Sequence, residues 1–577
     1  LTNQAAIGYP YMANRLFRKK TVAHILSSAQ SAKSGELEKV LGVRDLVSLG
    51  IAAIVGAGIF STIGLASFNG GPAVSLLFVF VAVACVFTAL SYAQFASTVP
   101  VSGSAYTYAY VAFGELFAWI IGWALILEYA VSNMVVAISW SQYFVSMLEG
   151  FGIHLPGWLT MAPAYASEAY VKLQEQGIES LTKVEQTAAL AYEHAPRIGD
   201  IPLIFDLPAG LITFLVTWLV YIGIKESRTA SNIMVAIKIG VILFVIFGGV
   251  FFVKPENWTP FAPNGVEGVL SGVAAVFFAF IGFDSISTTA EECRNPQRDL
   301  PRAMILCLLI CAVLYILITL VLTGMVNYTE LNVKDPLAFV FEYVGVDYMA
   351  GIVSVTSVVA ITSALLVFQL AQPRIWMTMS RDGLLWKRFA KIHPTYKTPS
   401  FATIITGFMV AIPALFFKMD FFVDLTSVGT FFAFILVCAG VLYMDYSGIS
   451  NQSRFRVPYI NGRYLITLGL LIAIFGIYYY GTDIIEEWRQ LTWLDILEHK
   501  LLIVIFWLVW GILCVMGYIY RFSLLPVAGI LVNLYLMSQL GASNWFIFLV
   551  WLGIGLLVYF GYGYKHSKLN KDESAAK

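Results

Sequence analysis

Apolar residues run along this chain in unbroken blocks of about twenty, rather than in the alternation of a half-buried strand or the three-to-four spacing of a surface helix. A bilayer core of ~30 Å needs about 20 apolar residues in a helix that rises ~1.5 Å per residue. Fourteen runs reach that length: 46–66, 73–97, 115–148, 207–224, 230–253, 269–290, 302–325, 348–380, 400–417, 421–444, 463–482, 500–520, 523–541 and 544–563. They predict an all-α polytopic membrane protein with fourteen transmembrane helices. The third and eighth runs exceed what a membrane requires and are expected to tilt or project.

An even number of spans puts both chain ends on one side, and the basic residues say which. Positive residues are retained in the cytoplasm. With the N-terminus inside, 26 basic residues fall in cytoplasmic segments and 8 in external ones, which leaves one of the 35 inside a span, Lys238. The first 40 residues hold Arg15, Arg18, Lys19 and Lys20 but no apolar core of signal-peptide length, so both termini are expected in the cytoplasm and the protein in the plasma (inner) membrane. One external segment is long: 149–206 carries eight acidic and three basic residues. Its alanine- and glutamate-rich middle suits short helices with a solvated face.

Composition excludes other classes. Of 577 residues 59% are apolar and 12% charged, with no net charge and a mean hydropathy of +0.79. A soluble domain is about 25% charged. Phosphate binding needs an accumulated positive field, so no nucleic-acid partner is expected. The six cysteines lie in or at the end of apolar runs, which leaves no external disulfide framework. All six histidines lie outside the runs without metal-ligand spacing, so neither a metal nor a catalytic nucleophile–base pair at membrane depth is expected. No ring of equivalent polar residues marks a channel.

A charge at the bilayer centre costs ~2.5–3.5 kcal/mol on the most lenient scale. Three residues bear that cost. Lys238, in IMVAIKIGVILF, lies eight or nine residues from the cytoplasmic end of its run. Either it bends back along an aqueous crevice, or it is an ammonium held by carbonyls and hydroxyls, desolvated enough to carry a proton. Glu128, in LILEYAVSN, is either an acid near a substrate or a buried, protonated packing residue. Asp284, in FFAFIGFDSIS, either functions as an acid or ties down loose amides at a helix break.

Glycine interrupts two runs: Gly56, Gly58 and Gly64 in the first, Gly282 in the sixth. Singly, each suits close helix packing. Together they stand five spans apart, so a second five-span copy would be inverted relative to the first. Inverted repeats with one interrupted helix apiece mark secondary transporters. Freed amides around Gly56, Ala57 and Gly58 suit a carboxylate, and freed carbonyls at Ala53, Ile54, Phe278 and Ala279 suit an ammonium. An amino acid carries both groups. Phe278, Phe280 and Phe283 are either packing or a gate over the pocket.

Three stretches resemble the amino acid–polyamine–organocation superfamily and, within it, the cationic amino acid transporter family: VGAGIF, FFAFIGFDSISTTAEECRNPQRDLPRA and QPRIWMTMSRDGLLW. The resemblance covers nearly the whole chain apart from 149–206 and the N-terminal tail. It implies a LeuT-like five-plus-five inverted-repeat core at 46–444 with discontinuous helices 1 and 6, four peripheral helices at 463–563, and cytoplasmic segments 1–45 and 564–577. Substrate would lie between spans 1, 3, 6 and 8. Lys238 matches a lysine that replaces a sodium ion, bonding span 1 carbonyls and the Thr362/Ser363 region, which implies coupling to the proton gradient with no bound sodium or other cofactor. Phe278 matches an aromatic gate, and Glu128 and Asp284 match acidic positions near the site. Ala57 departs from the Thr or Ser of relatives, and Phe368 is bulky where substrate side chains would point, which disfavours a roomy arginine pocket. The expected function is proton-coupled import of an L-amino acid by a monomer through alternating access. The alternatives are exchange of cationic amino acids without proton coupling, or an amino-acid-sensing membrane receptor. The cytoplasmic EECRNPQRDLPRA loop supplies Glu291, Glu292, Arg294, Arg298 and Arg302, either for gate ion pairs or for ordinary exposed pairing.

Overall fold

A computed structural model of the protein describes residues 16–22, 39–333, 335–480, 500–540 and 542–569. Most of the expected cytoplasmic N-terminal segment, the tail beyond 569 and the stretch 481–499 lie outside the described residues. Among the described residues the chain is helical apart from turns and one two-residue hairpin, Arg197–Ile198 with Ile201–Pro202. Nine stretches are long and apolar enough to cross a membrane, and four shorter apolar helices, Leu207–Ile222, Ser400–Phe416, Leu465–Tyr479 and Leu524–Ser538, accompany them. One of the nine, Gly58–Thr98, holds parts of two runs joined through Gly71. This is a polytopic all-α membrane protein.

The Glu115–Gly150 helix, 36 residues long, forms the centre: 94% of its most apolar stretch is buried, against 22% for Leu501–Tyr520. Its small and polar residues Ala124, Ser132, Ala137 and Ser139 let neighbouring backbones approach. The 35-residue Asp347–Arg381 helix and the Met419–Ser447 helix pack along it, while Pro296–Met325 packs on Val43–Ile54 and Val74–Thr98.

One boundary differs from the sequence reading. The expected loop after the fourth run is helical, and Gly223 alone, at φ 153°, separates Leu207–Ile222 from Ile224–Gly249. Lys225, Glu226, Arg228 and Ala230 form helices as readily in water as apolar residues do in lipid, so hydropathy places the helix start too late. Lys238 therefore sits fourteen residues past Ile224.

The 149–206 segment builds its own small core. Helices Pro163–Gln176 and Lys183–His194 bury Ala166, Ala169, Ala188 and Leu181 against one another. Thr182 opens the second helix with a capping box: its amide donates to Glu185 at 2.8 Å, and its hydroxyl accepts from the Glu185 amide at 3.3 Å. Lys172 bonds Glu185 at 2.7 Å, and the Lys172 and Thr182 donors hold the Glu185 carboxyl below the ordinary glutamate range. Lys418 reaches up from the start of Met419–Ser447 to bond Glu168.

Candidate functional site

The first helix ends where the glycines begin. Val43–Ile54 stops as Val55 turns out at ψ 87°, and after Ala57 a π turn runs over Gly58–Thr62. Such turns recur at functional sites. In the sixth run Val273–Phe278 ends, Gly282 takes φ 117°, which a side chain would oppose, and a 3₁₀ stretch follows from Phe283 to Glu292. The two irregular stretches lie against each other. A Cβ on Gly58 would stand 2.3 Å from Ala279 Cα, and one on Gly282 would stand 2.8 Å from Ala53 Cβ. Glycine is thus required at both points by close approach, reciprocally. Gly56 faces Ala364 and Val136 of the eighth and third runs, where an added Cβ would lie 3.0 and 3.7 Å away. Gly64 lies elsewhere, against Leu331 and Pro336.

The chain's own side chains fill much of the carbonyl end. Lys238, fully buried, donates to Ala52 O at 3.0 Å and to Val55 O. Tyr315 donates to Ile54 O at 2.9 Å. The Ile54 carbonyl, expected to be open to a ligand, is therefore taken, and the Phe278 carbonyl accepts the Ile281 amide at 3.2 Å. The Ala53 and Ala279 carbonyls and the Gly56, Ala57 and Gly58 amides, all buried, make no hydrogen bond to the described residues. Three consecutive free N–H groups at the start of a helical segment are an arrangement that can receive an anion. The Glu115–Gly150 helix fixes their position: Tyr143 donates to Phe60 O at 2.6 Å and Ser139 shares a 2.5 Å bond with Ser61. Thr62 donates to Gly58 O at 2.8 Å and to Ala275 O at 3.3 Å. Neither Thr362 nor Ser363 bonds Lys238. Their hydroxyls donate to Val358 O and Ala360 O at 2.7 Å, the ordinary resort of a mid-helix hydroxyl.

The three phenylalanines separate into two kinds. Phe280 packs against Tyr315 and Phe78 at 5.2 and 6.1 Å between ring centres, and Phe283 packs against Phe434 and Tyr92 at 5.1 and 5.8 Å. Phe278, also buried, has no ring partner among the described residues. Phe368 lies 6.2 Å from Tyr129. The Tyr129 hydroxyl donates to Asp284 Oδ2 at 2.6 Å, so Phe368, Tyr129 and Asp284 form one continuous cluster. Glu128 faces Met419–Ser447: its backbone carbonyl accepts Thr426 Oγ1 at 3.1 Å, while both carboxylate oxygens are buried without a partner.

Beyond this region two ion pairs close the end of the bundle that carries Glu291 and Glu292. Arg374 pairs with Glu292 at 2.7 Å, both buried, and Arg381 pairs with Glu291 at 3.2 Å, both partly exposed. The Glu292 carbonyl accepts the amides of Val40 and Leu41 at 3.0 Å, which ties the chain entering the first helix to the same point. A cavity of about 20 Å³ remains there, lined by Leu49, Ser285, Thr289 and Arg374. On the opposite side a cavity of about 70 Å³ lies between Thr62–Asn69, Ser271–Ala275 and Met419–Val423.

Comparison with known proteins decides the family. The profile described as "Amino acid permease" matches residues 41–484, and "C-terminus of AA_permease" matches 522–567. The chain belongs to the amino acid permease family. It is 36% identical to the methylthioribose transporter of Bacillus subtilis (strain 168), over 96% of this chain and 99% of that one. It is also 36% identical to the branched-chain amino acid permease BcaP of the same organism, over 97% and 100%, and 32% identical to cationic amino acid transporter 4, vacuolar, of Arabidopsis thaliana, over 96% and 97%. These relatives are transporters and permeases, and this permease is a transport protein of the amino acid–polyamine–organocation superfamily rather than an enzyme. Their names span three kinds of substrate, so membership reaches the permease family and not the cationic branch of it.

Sequence reading did not find Tyr315, Ser139, Tyr143 or Tyr129. A signal was present for two of them: Ser139 and Tyr143 lie four apart on the face that also carries Val136, which is one helix turn. Tyr315 is a single hydroxyl in an apolar run, and nothing in its neighbourhood points to Ile54.

Proposed function

We propose that this permease imports an L-amino acid together with a proton by alternating access, and that its fold is a fourteen-span, five-plus-five inverted repeat with both ends in the cytoplasm. The nine long and four short apolar helices, with two runs inside Gly58–Thr98, support that count. Reciprocal contact of Gly58 with Ala279 and of Gly282 with Ala53 supports a repeat whose two interrupted helices cross at the site. The carboxylate of the substrate binds the Gly56, Ala57 and Gly58 amides. Its ammonium turns to the Ala53 and Ala279 carbonyls, Phe278 closes over it, and Phe368 limits the side chain.

One observation carries the coupling: the Lys238 ammonium holds the Ala52 and Val55 carbonyls, beside the amides that receive the carboxylate. A proton on Lys238 gives its bonds at the end of the first half-helix charge-assisted strength, and its loss weakens them, so protonation biases which face is open by its differential stabilisation of the two states. Glu128 and Asp284 serve the same coupling from the third and sixth spans. A binding-only receptor would share the site but not the movement.

The test is uptake into proteoliposomes of the purified protein under an imposed proton gradient, with all twenty L-amino acids as competitors. Accumulation is expected with an acidic exterior, blocked by amino acids and not by analogues that lack the α-carboxylate or the α-amine. Competition by simple amines, or exchange without net accumulation, refutes the pose or the coupling respectively.

A further inference from the structure

The acidic groups of the third and sixth spans do not end at themselves. Glu128 Oε1 and Oε2 and Asp284 Oδ1 are buried without a partner, and so are the Tyr92 hydroxyl, Ser104 Oγ and Ser102 Oγ. The Tyr92 hydroxyl lies within electrostatic range of Asp284, Glu128 and Ser104, and its ring rests on Phe283, the residue before Asp284. Its ring is wedged between Phe283, Tyr108 and Phe434 at 5.6 to 5.9 Å, so packing and not its own hydrogen bond sets where the hydroxyl lies. Gly103 and Ser104, at φ 125° and 51°, turn the chain so that both serine side chains are buried. The Ser102 amide then donates to Glu291 Oε1 at 3.3 Å, and Glu291 pairs with Arg381 where both are about a quarter exposed.

Distance and chemistry fit a relay. Asp284 and Glu291 lie seven residues apart in the 3₁₀ stretch, which at ~2 Å per residue is about 14 Å. The hydroxyls of that stretch are spent: Ser285, Ser287, Thr288 and Thr289 each donate to the carbonyl three residues back. The unspent hydroxyls are those of Tyr92, Ser104 and Ser102, on the facing segment. A hydroxyl is donor and acceptor at once, and a buried one without a partner costs ~1–3 kcal/mol, so a row of them in a transporter calls for a purpose. Of the other titratable groups around the row, Tyr129 is engaged with Asp284 and Arg374 with Glu292, while Tyr108, whose ring meets Tyr92 at 5.9 Å and stacks on Phe95 at 4.8 Å, lies buried beside it.

We propose that Tyr92, Ser104 and Ser102, bridged by water, form the route by which a proton held at Glu128 and Asp284 leaves for the cytoplasm at Glu291. It rests on the proton-coupled reading above. The carboxylic O–H bond breaks and its proton passes to the first water; each hydroxyl accepts one proton and gives up its own. Every hydroxyl ends unchanged, one carboxylate has formed, and one hydronium stands at the cytoplasmic mouth.

The full-length protein in proteoliposomes with a trapped pH dye tests this, using whichever of the twenty labelled L-amino acids the wild type transports best. Tyr92→Phe and the double variant S102A/S104A are expected to lower net uptake and dye-reported proton entry at least tenfold. Counterflow of labelled for unlabelled substrate, in which a loaded carrier returns without releasing its proton, stays within twofold and shows that the variants fold. Unchanged net uptake overturns the route. Equal loss of uptake and counterflow also overturns it, since the residues would then only pack. A wild type that moves substrate without protons overturns the coupled reading instead, and is told apart by the dye.

Discussion

Gly58→Ala adds one methyl group at the point where the two interrupted segments touch. The new carbon would stand 2.3 Å from Ala279 Cα, 2.7 Å from its Cβ and 2.8 Å from its N, whereas ordinary contact begins at 3.4 Å. Two of those atoms are backbone, so no rotamer change relieves the clash, and the segments must part by the difference between 3.4 and 2.3 Å, 1.1 Å. The displacement falls on the chain that carries the Gly56–Gly58 amides. A misplacement of ~1 Å at a binding constellation costs ~10²-fold, and overpacking adds ~1–3 kcal/mol of instability. Substrate affinity measured by calorimetry in detergent should fall about 100-fold, or ~2.7 kcal/mol, with a lower melting temperature. Gly511→Ala is the matched control: nothing lies within 4 Å of its added carbon, in the Leu501–Tyr520 helix. There alanine gains ~1 kcal/mol of helix propensity, and affinity should not change. If the Gly58 variant binds within twofold of wild type, the close contact of the two segments does not shape the site.

Three further outcomes are expected. Lys238→Met strands the Ala52 and Val55 carbonyls at ~1–3 kcal/mol each; the protein should still insert but lose proton-driven accumulation, and unchanged accumulation over the full pH range refutes the role. Glu292→Gln leaves Arg374 charged and buried, at a cost of ~3–5 kcal/mol, whereas Arg381→Gln breaks a partly exposed pair for ~0–1 kcal/mol; equal melting temperatures for the two variants would contradict the difference in burial. In the 149–206 segment, the depressed folded-state pKa of Glu185 means its contribution is complete above the ordinary glutamate value of 4.5 and is lost as pH falls through the lower folded value. Protection factors over Lys183–His194, corrected for the intrinsic exchange rate at each pH, should therefore fall below pH 4.5, and a profile identical to that of Glu185→Gln would show that Lys172 and Thr182 do not hold it.

Hydropathy made the helices legible because lipid leaves a chain no other way to satisfy its backbone. The same reasoning singled out Lys238, since a charge in lipid has few explanations. It failed at Ile224–Gly249, where polar residues continue the helix beyond the apolar run and hydropathy registers only a loop. The glycines were legible as a pattern, but their reason was not. Gly58 and Gly282 are needed for what lies opposite them, Ala279 and Ala53, more than 200 residues away along the chain, and no local window contains that pairing.

The same limit explains why the candidate site was read as more open than it is. A sequence can say that a broken helix frees carbonyls; it cannot say which of them the rest of the chain will claim. Tyr315 takes Ile54 and Lys238 takes Ala52 and Val55, which leaves a ligand the Ala53 and Ala279 carbonyls and three amides. The two claims differ in kind. Under the proposed coupling the tyrosine bond keeps its strength whatever the proton does, while the lysine bonds strengthen with the charge, so one end of a single half-helix carries a fixed restraint and a tunable one. On that proposal, loss of a proton weakens the two lysine bonds and leaves the tyrosine bond in place, so the opening it permits is a hinge at Val55 rather than an unravelling. Tyr315→Phe separates the two restraints. Deleting this neutral bond costs ~1 kcal/mol, and the variant should still couple to protons but leak substrate without them; tight coupling retained in proteoliposomes would show that Lys238 alone holds the segment.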